Sequence, residues 1–339
     1  MSRAPHTLYL AAPRGFCAGV DRAIDIVEMA LEVYGPPVWV RHEIVHNRHV
    51  VEALRAKGAR FTDDLAEVPA GAVIIFSAHG VSPAVRREAA ERGLRALDAT
   101  CPLVTKVHLE ALRNAKQGLT TILVGHRDHV EVQGTLGEAP ESIVVVANVE
   151  EAEAVAVPDP ARVACITQTT LSMDDCRAIL EVLRRRFPAL REPAKEDICY
   201  ATQNRQNAVQ ELARRAGLVL VVGAPASSNA NRLVEVARNR GVRAELIESA
   251  EDIRAEWLDG DVGVTAGAST PEHVVLACVE RLQALGGYRV EEIRLVEERV
   301  LFPLPGEILS AARERGVAVG AANERAAARA MQEFRVRHH

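Results

Sequence analysis

The 339-residue chain is 48% hydrophobic and 26% charged, a globular balance that excludes extended disorder. At ~150 residues per domain, its length suits about two domains or three small ones. With 41 Lys and Arg against 46 Asp and Glu, the net charge is −5, which argues against a protein held on nucleic acid by bulk charge.

The N-terminus runs straight into a strand-like Thr7–Ala11, with no charged segment ahead of an apolar one. The reading is a cytoplasmic protein without a signal peptide. No run of ~18 apolar residues marks a membrane span. Asp21–Tyr34 reads as a helix, Val38–Arg41 and Ala72–Ser77 as strands, and Pro83–Arg92 as a helix. Leu103–Lys116 is helical, and Thr121–Gly125, Ile143–Ala147 and Val163–Thr167 are strand-like. Met173–Arg186 is helical and ends on Arg184-Arg185-Arg186, cations that suit a helix C-terminus. The helix Asn207–Ala216, strand Leu218–Gly223, helix Asn231–Arg238, strand Val262–Thr265 and helix Pro271–Leu285 complete the pattern. This alternation predicts an α/β fold with parallel sheet.

Six cysteines occur without a CxxC, so zinc-finger and ferredoxin-type local spacings are absent. They are expected as thiols, metal ligands or catalytic groups rather than a disulfide framework. Cys165, Cys176 and Cys278 lie in apolar or helical runs and read as small core residues. Cys17, Cys101 and Cys199 differ, because each stands at a strand-to-loop junction, where α/β folds place their chemistry.

Polar loop groups follow these three at similar distances. His46 lies 29 residues after Cys17, His129 lies 28 after Cys101, and Ser228 lies 29 after Cys199. A second set follows 33, 40 and 41 residues later, at His79, Thr169 and Ser269. The spacing predicts three pseudo-threefold-related βα units around a central cavity. Their expected bounds are residues 1–99 with Cys17, 100–196 with Cys101, and 197–305 with Cys199. An Ala- and Arg-rich helical extension is expected over 306–339. Three thiolates in one cavity repel and need a cation. A cubane iron–sulfur cluster fits three cysteines and leaves one iron open, whereas a structural zinc would want a fourth protein ligand.

Several loops are rich in donors. Ser227, Ser228, Asn229 and Ser269 offer a phosphate cradle at helix starts. Taken singly, Ser228 and Ser269 also read as helix caps. No GxxxxGK[ST] occurs, which excludes a P-loop. A single His usually reads as structural, but His46, His79 and His129 on three loops facing one cavity read as donors to an anion. Glu131 is the carboxylate of the densest polar loop and reads as a proton donor or relay, the alternative being an exposed Glu at a helix start. Thr169 reads as a helix cap or as a hydroxyl passing a proton between ligand and Glu131.

The segments PRGFCAGVDRAI, RHEIVHNR, FSAHGVS, DATCPLVTKVH, GHRDHVEVQGT, TQTTLSMDD, DICYATQNRQ, SSNANRL and VGVTAGAS occur in that order. Over residues 7–305 they resemble the IspH/LytB family of 4-hydroxy-3-methylbut-2-enyl diphosphate reductases. The resemblance implies a trefoil-like set of three α/β units and one [4Fe–4S] cluster on Cys17, Cys101 and Cys199. It implies diphosphate binding by His46, His79, His129, Ser227, Ser228, Asn229 and Ser269, with Glu131 and Thr169 at proton-relay positions. The implied reaction removes an allylic hydroxyl as water and gives isopentenyl and dimethylallyl diphosphate, the last step of the non-mevalonate isoprenoid pathway. The implied partners are that small diphosphate and a ferredoxin- or flavodoxin-type electron donor, with no nucleic acid or membrane. The chain departs from the family pattern at Ala12, Val130, Gln203 and Ala224-Pro225-Ala226, where Asn, Pro, Thr and Ser-Lys-Asn are usual. A divergent paralogue, acting on another substrate or as a redox sensor, is the alternative reading.

Overall fold

A computed structural model describes residues 6–193 and 195–318. The chain opens with β1 (Thr7–Ala12) and α1 (Ala18–Tyr34). It continues with β2 (Val38–Arg41), α2 (Arg48–Ala56), β3 (Ala59–Thr62), β4 (Val73–Phe76), α3 (Pro83–Glu91) and β5 (Arg95–Asp98). The middle holds α4 (Pro102–Lys116), β6 (Thr120–Val124), α5 (Val130–Leu136), β7 (Ile143–Val146), α6 (Val149–Ala154), β8 (Val163–Thr167) and α7 (Met173–Arg186). The last part holds α8 (Tyr200–Leu212), β9 (Leu218–Val222), α9 (Ser228–Asn239), β10 (Arg243–Ile247), β11 (Val262–Ala266), α10 (Glu272–Gly286), β12 (Arg289–Arg294) and α11 (Gly306–Glu314).

The strands form three sheets, ordered β3-β2-β4-β5, β7-β6-β8 and β10-β9-β11-β1-β12. Every strand pairing within them is parallel. Central strands such as β4 (VIIF), β9 (LVLVV) and β11 (VGVTA) are buried along their whole length, as parallel strands covered on both faces must be. Parallel βα connections bring strand C-termini and helix N-termini to one edge of each sheet. The three sheets turn those edges towards one cavity.

One expectation is corrected. The sequence spacing groups the first strand with residues 1–99, but β1 pairs with β11 and β12 in the third sheet. Its Leu8 and Leu10 pack with Leu220, Val262 and Val264. A pairing across some 250 residues leaves no mark in local spacing, so the unit boundaries read from the sequence could not reveal it.

Each loop cysteine in fact marks a crossing from one sheet to another. Cys17 follows β1, yet α1 packs Ile26, Met29 and Val33 into a core with Val38, Val40 and Ile75 of the four-stranded sheet. Cys101 follows β5 of that sheet, yet Val107 and Ala111 of α4 pack with Leu123 and Ile166 of the three-stranded sheet. Cys199 follows that three-stranded unit, and Val209 and Leu212 of α8 pack with Val219 and Val221 of the five-stranded sheet. The three crossings form a closed cycle. Of the expected extension, α11 buries Ile308 and Ala312 against the α1 core, and residues 319–339 lie outside the described residues.

Candidate active site

All twelve site residues singled out from the sequence line one cavity of about 700 Å³, part of it open to solvent. Cys17, Cys101 and Cys199 are the N-cap residues of α1, α4 and α8. A helix N-terminus favours a thiolate. The Cys199 sulfur accepts from Thr202 N at 3.4 Å and lies 3.2 Å from the Thr202 hydroxyl. Gly19 makes room for the group: a Cβ there would stand 2.7 Å from the Cys101 sulfur. Without a cation the thiols hold their protons. Burial, then repulsion from Cys17, pushes Cys101 up to about 12, and the same two causes push Cys199 up to about 11. Burial also raises Cys17.

These soft donors fit an iron–sulfur cluster. Three half-buried thiols face one space, and their mutual repulsion would be relieved by iron. Among the described residues, no three His, Cys, Asp or Glu side chains are grouped to hold a single metal ion. A polynuclear cluster, whose irons offer separate points of attachment, suits the thiols better. Cys165, Cys176 and Cys278 are buried in apolar cores away from this cavity, as expected of structural cysteines.

Glu131 stands in the first turn of α5 but is only 3% exposed, so it is not the solvent-facing helix start weighed above. Both its oxygens are taken by Thr169. Thr169 N donates to Oε1 at 2.6 Å, and Thr169 Oγ1 donates to Oε2 at 2.9 Å. Burial raises the carboxyl to about 7 against these bonds. A group poised there holds a proton at neutral pH and can release it. Thr169 caps no helix; Ser172 caps α7.

A second set of polar side chains lines the same cavity. His46 and His79 stack at 4.2 Å, and His129 stands edge-on to both at 5.8 and 5.9 Å. Burial, then the neighbouring His46, lowers His129 to about 4 and His79 well below its usual value. Both are therefore held neutral at pH 7. Asn229 is buried, and neither its Oδ1 nor its Nδ2 has a protein partner. The cap of α9 is Ser227, not Ser228. Ser228 Oγ accepts from Thr170 Oγ1 at 3.1 Å, and Ser269 Oγ donates to His46 O at 3.0 Å, so neither serine is a cap.

The sequence reading missed Thr170, Gly19 and Thr202, which also line the cavity, and Gln168 behind it. Gln168 Nε2 donates to Thr170 Oγ1 at 2.9 Å, and its Oε1 accepts from His126 N at 3.1 Å. The signal was the run Thr167-Gln168-Thr169-Thr170, in which only Thr169 was given a role. None of the departures from the family pattern lines the cavity. Pro225 and Ala226 are exposed, and Gln203 bonds to Glu196 and to Ile198 O.

Comparisons with known proteins agree with this geometry. A family profile described as LytB protein matches residues 8–283. The 4-hydroxy-3-methylbut-2-enyl diphosphate reductase of Bordetella pertussis is 58% identical over 298 residues, covering 87% of this chain and 92% of its own. The protein of the same name from Methylibium petroleiphilum is 56% identical, covering 87% and 91%. Among solved structures, the E-1-hydroxy-2-methyl-but-2-enyl-4-diphosphate reductase of Plasmodium falciparum superposes with a TM-score of 0.90 at 40% identity, over 92% of this chain and 99% of that one. By a match that runs through most of its length, this chain belongs to the LytB family of 4-hydroxy-3-methylbut-2-enyl diphosphate reductases.

Proposed function

We propose that the chain reduces 4-hydroxy-3-methylbut-2-enyl diphosphate to isopentenyl and dimethylallyl diphosphate, closing the non-mevalonate isoprenoid pathway. The observation that carries this reading is a single cavity joining three half-buried thiols, a Glu131–Thr169 pair and a wall of His, Ser and Asn side chains suited to an anion. Cys17, Cys101 and Cys199 would hold one [4Fe–4S] cluster. When bound, that group supplies two electrons, one at a time, and an iron without a protein ligand.

The rest is the work of the chain. His46, His79, His129, Ser227, Ser228, Asn229 and Ser269 hold the diphosphate, and the fixed tail directs the allylic carbon–oxygen bond towards the thiol end. With Glu131 protonated on Oε2, the Thr169 hydroxyl turns from that oxygen to the departing one and donates to it, while its own oxygen accepts the Glu131 proton. The carbon–oxygen bond breaks, one carbon–hydrogen bond forms at either end of the allyl unit, and water leaves. Two electrons and two protons balance the step. The electrons come from a ferredoxin- or flavodoxin-type donor. No helix among the described residues is long and apolar enough to cross a membrane, and we place the enzyme in the cytoplasm.

Anaerobic purification, iron and sulfide reconstitution, and an assay with a strong one-electron reductant test this reading. Turnover to both five-carbon diphosphates, abolished in Cys101→Ser and Glu131→Ala, is the expected result. A loaded cluster without turnover under any donor overturns it in favour of a paralogue with another substrate.

A further inference from the structure

Each of the three cysteines starts a helix whose second turn carries one cation. Arg22 lies five residues after Cys17, Lys106 five after Cys101, and Arg205 six after Cys199. Each cation reaches across to the loop in front of the next cysteine. Arg22 Nη1 donates to Ala99 O at 3.3 Å and Thr100 O at 3.0 Å, the two carbonyls just ahead of Cys101. Lys106 Nζ donates to Lys195 O at 2.7 Å, Glu196 O at 3.0 Å and Asp197 Oδ1 at 2.9 Å, just ahead of Cys199. Arg205 Nη2 donates to Gly15 O at 2.7 Å and Phe16 O at 3.2 Å, just ahead of Cys17. The order runs from 17 to 101 to 199 and back to 17.

The pattern is costly to build by accident. Arg205 is fully buried, and a buried guanidinium is tolerated only where its N–H groups find acceptors. Its remaining donors go to Ala201 O and to Glu298. Arg22 is anchored further by Pro303 O at 2.9 Å. The loops being held are the crossings between sheets, where the strand ladders run out and only single backbone bonds remain, such as Cys101 N to Ala78 O and Cys199 N to Thr169 O. Loop carbonyls without such donors would be free to reorient.

We propose that Arg22, Lys106 and Arg205 are positioning residues forming a cyclic clamp, in which the helix begun by one thiol sets the loop, and so the place, of the next thiol. The clamp belongs to the chain itself. Its bearing on catalysis rests on the cluster reading above.

The cyclic order gives a signature that a merely stabilising role lacks. Full-length protein prepared without iron is pulsed with iodoacetamide, and alkylation is read at each cysteine by mass spectrometry. In Lys106→Met, Cys199 reacts about tenfold faster while Cys17 and Cys101 stay within about twofold of wild type. Lys106→Arg restores the slow rate. Arg22→Met gives the same selective effect at Cys101. Arg205→Lys, which keeps the charge but loses the fork, speeds Cys17 by about threefold. Lys106 is partly exposed but its partner Asp197 is buried, so a denaturant melt of Lys106→Met is run beside Lys106→Arg, which keeps the pair, and selective acceleration at Cys199 in protein that melts as a folded chain is the result required. Acceleration at the variant's own helix cysteine, equal acceleration at all three, or no change overturns the clamp. Iron per chain after reconstitution is measured in parallel. A wild type that takes up no iron sinks the cluster reading, while the alkylation pattern still judges the clamp.

Discussion

The two polar walls of the cavity are finished to different degrees. At Glu131 every carboxylate oxygen already has its Thr169 donor, and the group is set near neutrality by burial. At the anion wall Asn229 has no partner, and His79 and His129 are held neutral. Under the proposed function, one wall is complete before substrate arrives and the other is completed by it: the first is preorganised for a proton transfer, the second for binding.

Substitutions can break this contrast. Glu131→Gln keeps the shape of the acid but cannot release a proton, so kcat is expected to fall by about 10²–10⁴ with KM little changed. Steady-state kinetics check this, and a KM effect of similar size would place Glu131 on the binding wall instead. Asn229→Leu should raise KM by about 10–100-fold with a smaller change in kcat, because the lost bonds go to a charged group. In the ligand-free protein the same substitution removes two unpaired buried polar atoms, and is expected to be neutral or to add about 1 kcal/mol in a denaturant melt. Thr169→Val should do the opposite, costing about 1–3 kcal/mol by leaving a Glu131 oxygen unpaired. Matching stability changes in the two variants would erase the difference between the walls.

The smallest effects are with pH, and the signs differ. Glu131 is raised from 4.5 to about 7, so its protonated form favours the fold. That stability is full below pH 4.5 and is lost as pH rises through 7, and activity should decline over the same upper range. Glu131→Gln should flatten both curves. His129 is lowered from 6.5 to about 4, so the free protein loses stability as pH falls from 6.5 towards 4. Inorganic diphosphate should reduce that loss, read as a thermal shift that grows as pH drops from 7 to 5.

Much of this architecture was legible in the residues. The central strands are apolar runs, and all eight strand-like stretches became strands. The strands that were missed, β3 (ARFT), β5 (RALD), β10 (RAELI) and β12 (RVEEIR), all lie at sheet edges. Edge strands carry charge to discourage pairing with other chains, and that charge hides their period. The cavity residues were legible because they cluster at strand ends among Gly, Ser and His. Gln168 was not, because it acts through Thr170 and carries no chemistry of its own. The place of β1 was invisible, since its partners lie at the far end of the chain.

That last feature sets the order of events at the ribosome. β1 is the first strand made, yet it sits between β11 and β12, which are among the last. At ~5–20 residues per second, roughly 15–60 s separate its synthesis from that of its neighbours. Until then α1 can already pack on the four-stranded sheet and set Cys17 beside Cys101, whereas α8, which carries Cys199, lacks the completed five-stranded sheet it packs on. A newborn chain therefore presents two thiols in register before it presents three, and any inorganic guest must wait for the closing strand.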